Sequence, residues 1–233
     1  MKLLAPLHLA TALAFAVAPF LTAPFSGFRE DQLPIPQMDP PIQPAGYAFA
    51  IWGVIYLWLV ISAGYGFLYR RDDAGWDRAR APLLVSLAIG AAWLWIANTS
   101  AIWATVTIWM MLGSALWALA VSPERDAPWL RYPIGLYAGW LSAASFVSLA
   151  VLLAGYGIAF DGLTWALIGL PVATAFALTM HRLTLPTLTY GAAVTWALAA
   201  IPPDNVASVA ILAGCCALLM AAATLLPVLR KTA

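Results

Sequence analysis

From Pro82 to Val121 the chain runs for forty residues without one Asp, Glu, Lys, Arg or His. A helix of that length would reach about 60 Å, twice the ~30 Å hydrocarbon layer of a bilayer. The run must therefore turn back once. Its only polar triplet, Asn98-Thr99-Ser100, marks the turn between spans of about 82–98 and 101–121. The whole chain shares this character: 64% of its 233 residues are hydrophobic, 9% are charged and the mean hydropathy is +0.88. That leaves too little polar surface to cover a water-soluble globule. In hydrocarbon, backbone polar groups must be paired internally, so the runs are helices. The fold class is all-α, a polytopic membrane helix bundle.

The same logic divides the rest. Leu3 to Ala23 is apolar over roughly 20 residues, enough to cross, and is taken as a retained first span. Lys2 before it and small residues near its end also fit a cleavable signal peptide. Pro24 to Gly46 holds Arg29, Glu30, Asp31 and Asp39 among six prolines, which suits a polar, non-helical lid. A second span, about Tyr47 to Tyr69, is closed by Arg70-Arg71-Asp72-Asp73, and Asp77, Arg78 and Arg80 complete a short charged loop. Beyond a loop with Glu124, Arg125, Asp126 and Arg131 lies a fifth span, about Tyr132 to Leu153. Three more follow at about 161–180, 183–201 and 205–228, separated by His181-Arg182 and by Pro202-Pro203-Asp204. Pro171 and Pro186 interrupt two of them, which packed membrane helices tolerate.

The expected count is about eight spans, and charges not used in counting agree with it. With a cytoplasmic N-terminus, Lys2, Arg70, Arg71, Arg78, Arg80, Arg125, Arg131, Arg182, Arg230 and Lys231 lie inside; Arg29 alone of the eleven basic residues lies outside. Both termini are then cytoplasmic. In a bacterium the chain would sit in the inner membrane with the 24–46 loop on the periplasmic side.

Several chemistries find no residues here. A net charge of +1 gives no concentrated basic face for nucleic acid. There is no GxSxG, HExxH, glycine-rich phosphate loop or mid-span carboxylate pair, so the chain is not expected to be an enzyme or an ion-coupled pump. Asp161 and Asp204 sit at span ends as helix caps. Adjacent Cys215 and Cys216 suit small core residues, with no cluster for a metal. His8 has axial-ligand chemistry, but a lone histidine near an interface is more simply hydrogen-bonded or snorkelling. His181, beside Arg182, suits a turn residue, and Trp76 and Trp129 suit the interfacial belt.

The residues with most to say lie in Pro40–Tyr69. On a helix, Phe49, Trp52 and Tyr56 fall at roughly 0°, 300° and 340°, one narrow aromatic stripe, with Trp58 about 180° away. This stretch, through Pro44, Tyr47, Phe49, Trp52, Gly53 and Ile55-Tyr56, resembles the TspO/MBR family, the tryptophan-rich sensory proteins also known as translocator or peripheral-type benzodiazepine receptor proteins. LYAGWLSAAS is similar to a second family segment through Tyr137, Trp140 and Ala144. AAWLWIANTSAIW resembles the family's third helix through Trp93, Trp95 and Asn98. These matches cover about residues 1–155, a TspO-like five-helix membrane domain. Residues 156–233 form an additional three-helix extension for which the resemblance offers no role. Tyr47 stands where Trp is more usual, and the first loop lacks the Trp of many members.

The resemblance implies a ligand site inside the first five helices, beneath the first loop, taking porphyrins and other apolar aromatic molecules. Its residues would be Pro44, Tyr47, Phe49, Trp52, Tyr56, Trp95, Asn98, Tyr137, Trp140 and Ala144, with no metal ligand. Such aromatic walls stack on planar conjugated molecules, and Trp N–H and Tyr O–H groups supply polar anchors. The expected function is membrane binding of a tetrapyrrole or similar planar apolar ligand, in its sensing, transfer or turnover, with no cofactor required. The expected partners are membrane lipid, that ligand, and a homodimer or larger membrane complex. An alternative is a structural or assembly subunit docking through small residues of the last span, Ala207, Ala210, Gly214 and Ala217. An apolar-solute transporter ranks third, since no later segment repeats 47–69.

Overall fold

Helix boundaries follow from the polar residues that punctuate the apolar runs. Asp73 opens one helix by accepting the N–H groups of Gly75 and Trp76 at 2.9 and 3.1 Å. Ser100 closes that helix with its own N–H on the Ile96 carbonyl and starts the next by accepting the Trp103 N–H on Oγ. Asp161 opens another by accepting from Thr164. The computed structural model describes residues 3–184, 187–201 and 205–232, with side chains described through 226 and at 229. Its helices are α1 Leu4–Leu21, α2 Ile51–Tyr69, α3 Ala74–Thr99, α4 Ala101–Val121, α5 Arg131–Gly155, α6 Gly162–Leu183, α7 Leu188–Ala199 and α8 Ala207–Thr232. Among the described residues there is no strand. Seven of these helices are long and apolar enough to cross a membrane. The protein is an integral membrane helix bundle.

Helix α7 differs from the expected 183–201 span. It has 12 residues, about 18 Å of rise. It nonetheless joins the two ends of the bundle: Thr189 Oγ1 donates to the Tyr132 carbonyl at the start of α5, while the Ala45 N–H donates to the Ala200 carbonyl beyond the last turn. Lys2, Pro186, Pro202, Pro203 and Asp204 lie outside the described residues, as do the side chains of Arg230 and Lys231.

In the bundle, α3 packs on α1 and α4, α5 on α4, α6 and α7, and α8 on α6 and α7; α2 rests on α1 and α5. Glycine makes the tightest of these seams. A Cβ at Gly139 of α5 would collide with the Tyr190 carbonyl of α7, and one at Gly90 of α3 would lie 2.6 Å from the Phe15 ring of α1. On α8, Cys216 and Ala217 face inward, whereas Cys215 and Gly214 are exposed, so Cys215 is not the core residue expected.

Asp77, Arg78 and Arg80 belong to the first turns of α3 rather than to a loop. Arg80 is wholly buried, donating to Asp77 Oδ1 and to the Gly66 carbonyl, each at 2.7 Å, with its guanidinium 5.3 Å from the Trp76 ring centroid. Trp76 is also wholly buried, not interfacial, because Gly66 leaves it room: a Cβ there would come within 2.6 Å of the indole. Trp129, partly exposed, stacks on Tyr65 at 4.8 Å. Trp58 faces a neighbour, donating to the Pro128 carbonyl at 3.0 Å.

At the same end Arg70 grips Asp126 with two bonds of 2.7 and 3.1 Å, and Trp76 Nε1 donates to the same carboxylate at 3.2 Å. The Arg70 hydrogen bond is the main cause holding the Asp126 carboxyl below its ordinary value of 3.8; partial burial opposes it. A depressed folded value contributes stability that is present above the ordinary value and lost as pH falls through the folded one. Thermal stability in detergent should therefore fall below about pH 4, and less steeply in Asp126→Asn.

Candidate functional site

A cavity of about 570 Å³ lies among α1 to α5 beneath the 23–44 loop. Its walls are aromatic. On α2, Trp52 and Tyr56 stand one turn apart and stack at 5.3 Å with 19° between ring planes. Facing them, Trp140 of α5 sits edge-on to Trp52 at 6.3 Å and to Phe49 at 5.7 Å. Trp93 of α3 closes a third side and packs against Phe25 of the loop at 5.2 Å. Phe15, Gly90, Ile108 and Met111 complete the lining away from the loop.

Six of the ten expected residues line this space: Pro44, Phe49, Trp52, Tyr56, Trp140 and Ala144. Phe49 lies in a 3-10 turn, Gly46–Ala50, that leads into α2. Tyr137 stands behind the wall, wholly buried, its hydroxyl 2.9 Å from Ser86 Oγ, which in turn donates to the Met111 carbonyl. Asn98 holds the roof rather than lining the cavity: its amide donates to the Leu94 and Ala23 carbonyls. Tyr47 is 61% exposed and meets Trp196 edge-on at 5.8 Å, outside the lining. Trp95 is 72% exposed and points outward, since two residues along a helix carry it some 200° from Trp93. Of the third-helix motif, then, Trp93 reaches the cavity.

The family segments did not reveal Phe15. A signal was present, because Ala5, His8, Ala12 and Phe15 recur at helical spacing and form the buried face of α1. His8 and His181 do not line the cavity. His181 is a buried residue of α6, its ring 6.0 Å from Tyr190, and not a turn residue. Among the described residues no three His, Cys, Asp or Glu side chains cluster as metal ligands.

Polar groups in the lining below the loop are few. Ser148 is engaged with Thr105 at 2.7 Å. Trp140 is 2% exposed, and its indole Nε1–H has no hydrogen-bond partner. A buried donor without an acceptor costs of order 1–3 kcal/mol.

The roof is a fitted segment rather than a loose lid, and it includes a short 3-10 turn at Glu30–Gln32 where no helix was expected. Arg29 Nη1 donates to the Asn98 carbonyl and Gln32 Nε2 to the Ala97 carbonyl, both at 2.8 Å, so the loop caps the end of α3. The Ile35 N–H reaches the Gly155 carbonyl of α5. Trp196 Nε1 and Asn205 Nδ2 donate to the carbonyls of Ala48 and Pro41, tying the turn before α2 to α7 and the loop to the segment that leads into α8. Arg29 and Asp31 pair at 2.9 and 3.1 Å; that bond raises the arginine pKa and lowers the aspartate's.

Fold and site together define a polytopic membrane protein with an aromatic-walled cavity roofed by its first loop. The chain belongs to the TSPO-like protein family, whose model matches residues 8–226. That match runs through the helices after residue 155 as well as those before it. No significant match is found among curated proteins or among solved structures.

Proposed function

We propose that the protein binds a planar, conjugated, apolar molecule of the tetrapyrrole type in this cavity and acts in its sensing, transfer or turnover. The observation that carries this function is the pairing of the stacked Trp52–Tyr56 wall with the Trp140 ring across one cavity. A volume near 570 Å³ falls within the ~300–1,000 Å³ of small-molecule sites. Flat rings gain contact on both walls. With the basic residues gathered at the other end of the bundle, the roof faces outward, toward the periplasm in a bacterial inner membrane.

The test is titration of purified protein with protoporphyrin, followed by the ligand's own absorption. Replacing Trp52 and Trp140 together by Phe keeps apolar contact but removes stacking area and the N–H donor. Affinity is expected to fall about tenfold, from roughly 0.5–1.5 kcal/mol per aromatic contact. An unchanged affinity would show that the ligand sits elsewhere.

A further inference from the structure

The rim of the cavity adds a selectivity that the aromatic walls do not supply. Three charged side chains line it from the loop: Arg29, Glu30 and Asp39. Arg29 is already committed, gripping Asp31 with two bonds and donating to the Asn98 carbonyl. Glu30 and Asp39 have no ion pair among the described residues. The rim amides are committed as well: Gln43 donates to the Ser26 carbonyl at 3.2 Å and Gln37 to the Ile35 and Pro36 carbonyls at 3.3 Å. With Asp161 at the start of α6, the described residues at this end of the bundle set one base against four carboxylates. The Arg29 charge is therefore already offset by Asp31, while two unpaired negative charges stand at the entrance.

We infer that the cavity discriminates by charge, taking planar apolar ligands whose periphery is neutral or cationic in preference to dicarboxylates, with Glu30 and Asp39 as the specificity-determining residues. This rests on the proposed function of the cavity and narrows its ligand class. Both carboxylates are exposed, so their field is weakened by water and falls off over a Debye length of about 8 Å at physiological salt. Discrimination of about three- to tenfold is the scale expected from two such charges, and it shrinks as salt is raised.

The probes are protoporphyrin, a dianion at neutral pH, and its dimethyl ester, which has the same ring and no charge. Both are titrated into the full chain in nonionic detergent, and into Glu30→Gln/Asp39→Asn. The double substitution is expected to tighten binding of the diacid about three- to tenfold and to leave the ester unchanged. Partition of the more apolar ester into micelles is identical for the two proteins and cancels in that comparison. If the diacid binds the variant no better, or worse, the charge inference is wrong, and continued sensitivity to Trp52→Phe/Trp140→Phe would leave the aromatic site standing. If neither compound binds the unaltered protein, both fail.

Discussion

Gly139→Val is expected to lower the thermal stability of the detergent-solubilised protein by about 3 kcal/mol, the upper part of the range for overpacked seams. The reason is that the new side chain has no soft neighbour. At Gly139 the first atom met is the backbone carbonyl oxygen of Tyr190, followed by the Ala193 Cβ at 2.9 Å. A backbone group cannot rotate aside, so α7 as a whole must withdraw from α5. That movement would strip Tyr190 of its 2.9 Å contact with Ser142 and leave its hydroxyl without that partner in an apolar interior, while Ser142 keeps its bond to the Ala138 carbonyl. Gly139→Ala should show the same effect in smaller measure. Gly113→Ala is the control: nothing lies within 4 Å of its added methyl, and the exchange should be neutral or gain up to about 1 kcal/mol of helix propensity. A thermal melt of the three variants checks the order, and equal behaviour of the Gly139 and Gly113 variants would remove α5–α7 contact from the account of stability.

The second large effect is expected at Asp77. Its carboxylate is the only acidic partner of Arg80 among the described residues, and Arg80 is wholly buried. Asp77→Asn keeps the shape and a carbonyl oxygen but withdraws the countercharge, leaving a guanidinium held by the carbonyls of Gly66 and Arg71, the new amide and the Trp76 ring, with no anion. Breaking one side of a buried pair costs about 3–5 kcal/mol; the Asp77 side chain is 14% exposed, so about 2–3 kcal/mol is the appropriate scale here. Asp77→Asn with Arg80→Met should recover part of the loss, because the second change removes the stranded charge as well. A double-mutant cycle on melting temperature reads the coupling directly. Additive losses would mean that the pair does not act as a unit.

Much of this architecture was legible because the charges of the chain are few and well placed. Asn98-Thr99-Ser100 located the α3–α4 turn, and Ser100 serves the helices on both sides of it. Failures came where polar residues were taken as loop by composition alone. Asp77 and Arg80 form an i, i+3 pair inside a helix, and Trp76 beside them is buried because a glycine on α2 makes space, a fact about another helix that local pattern cannot carry. The same limit applies to the site. Trp52, Tyr56 and Trp140 share helix faces and were found by spacing and family likeness, whereas Trp93 and Trp95 differ only in which way α3 is turned. The α1 contribution, Phe15, depends on Gly90 of α3 accepting its ring.

The bonds from Trp196 to Ala48 and from Asn205 to Pro41 span 148 and 164 residues of chain. Translation at about 5–20 residues per second puts the order of ten seconds or more between the appearance of the roof and that of its last fasteners. Once Gly155 has been made, the cover is fixed on the α3 and α5 sides, and it stays so until Trp196 and Asn205 follow. The cavity walls lie in α1 to α5, so a chain ending before α7 would keep those walls beneath a cover that lacks the Trp196 and Asn205 bonds.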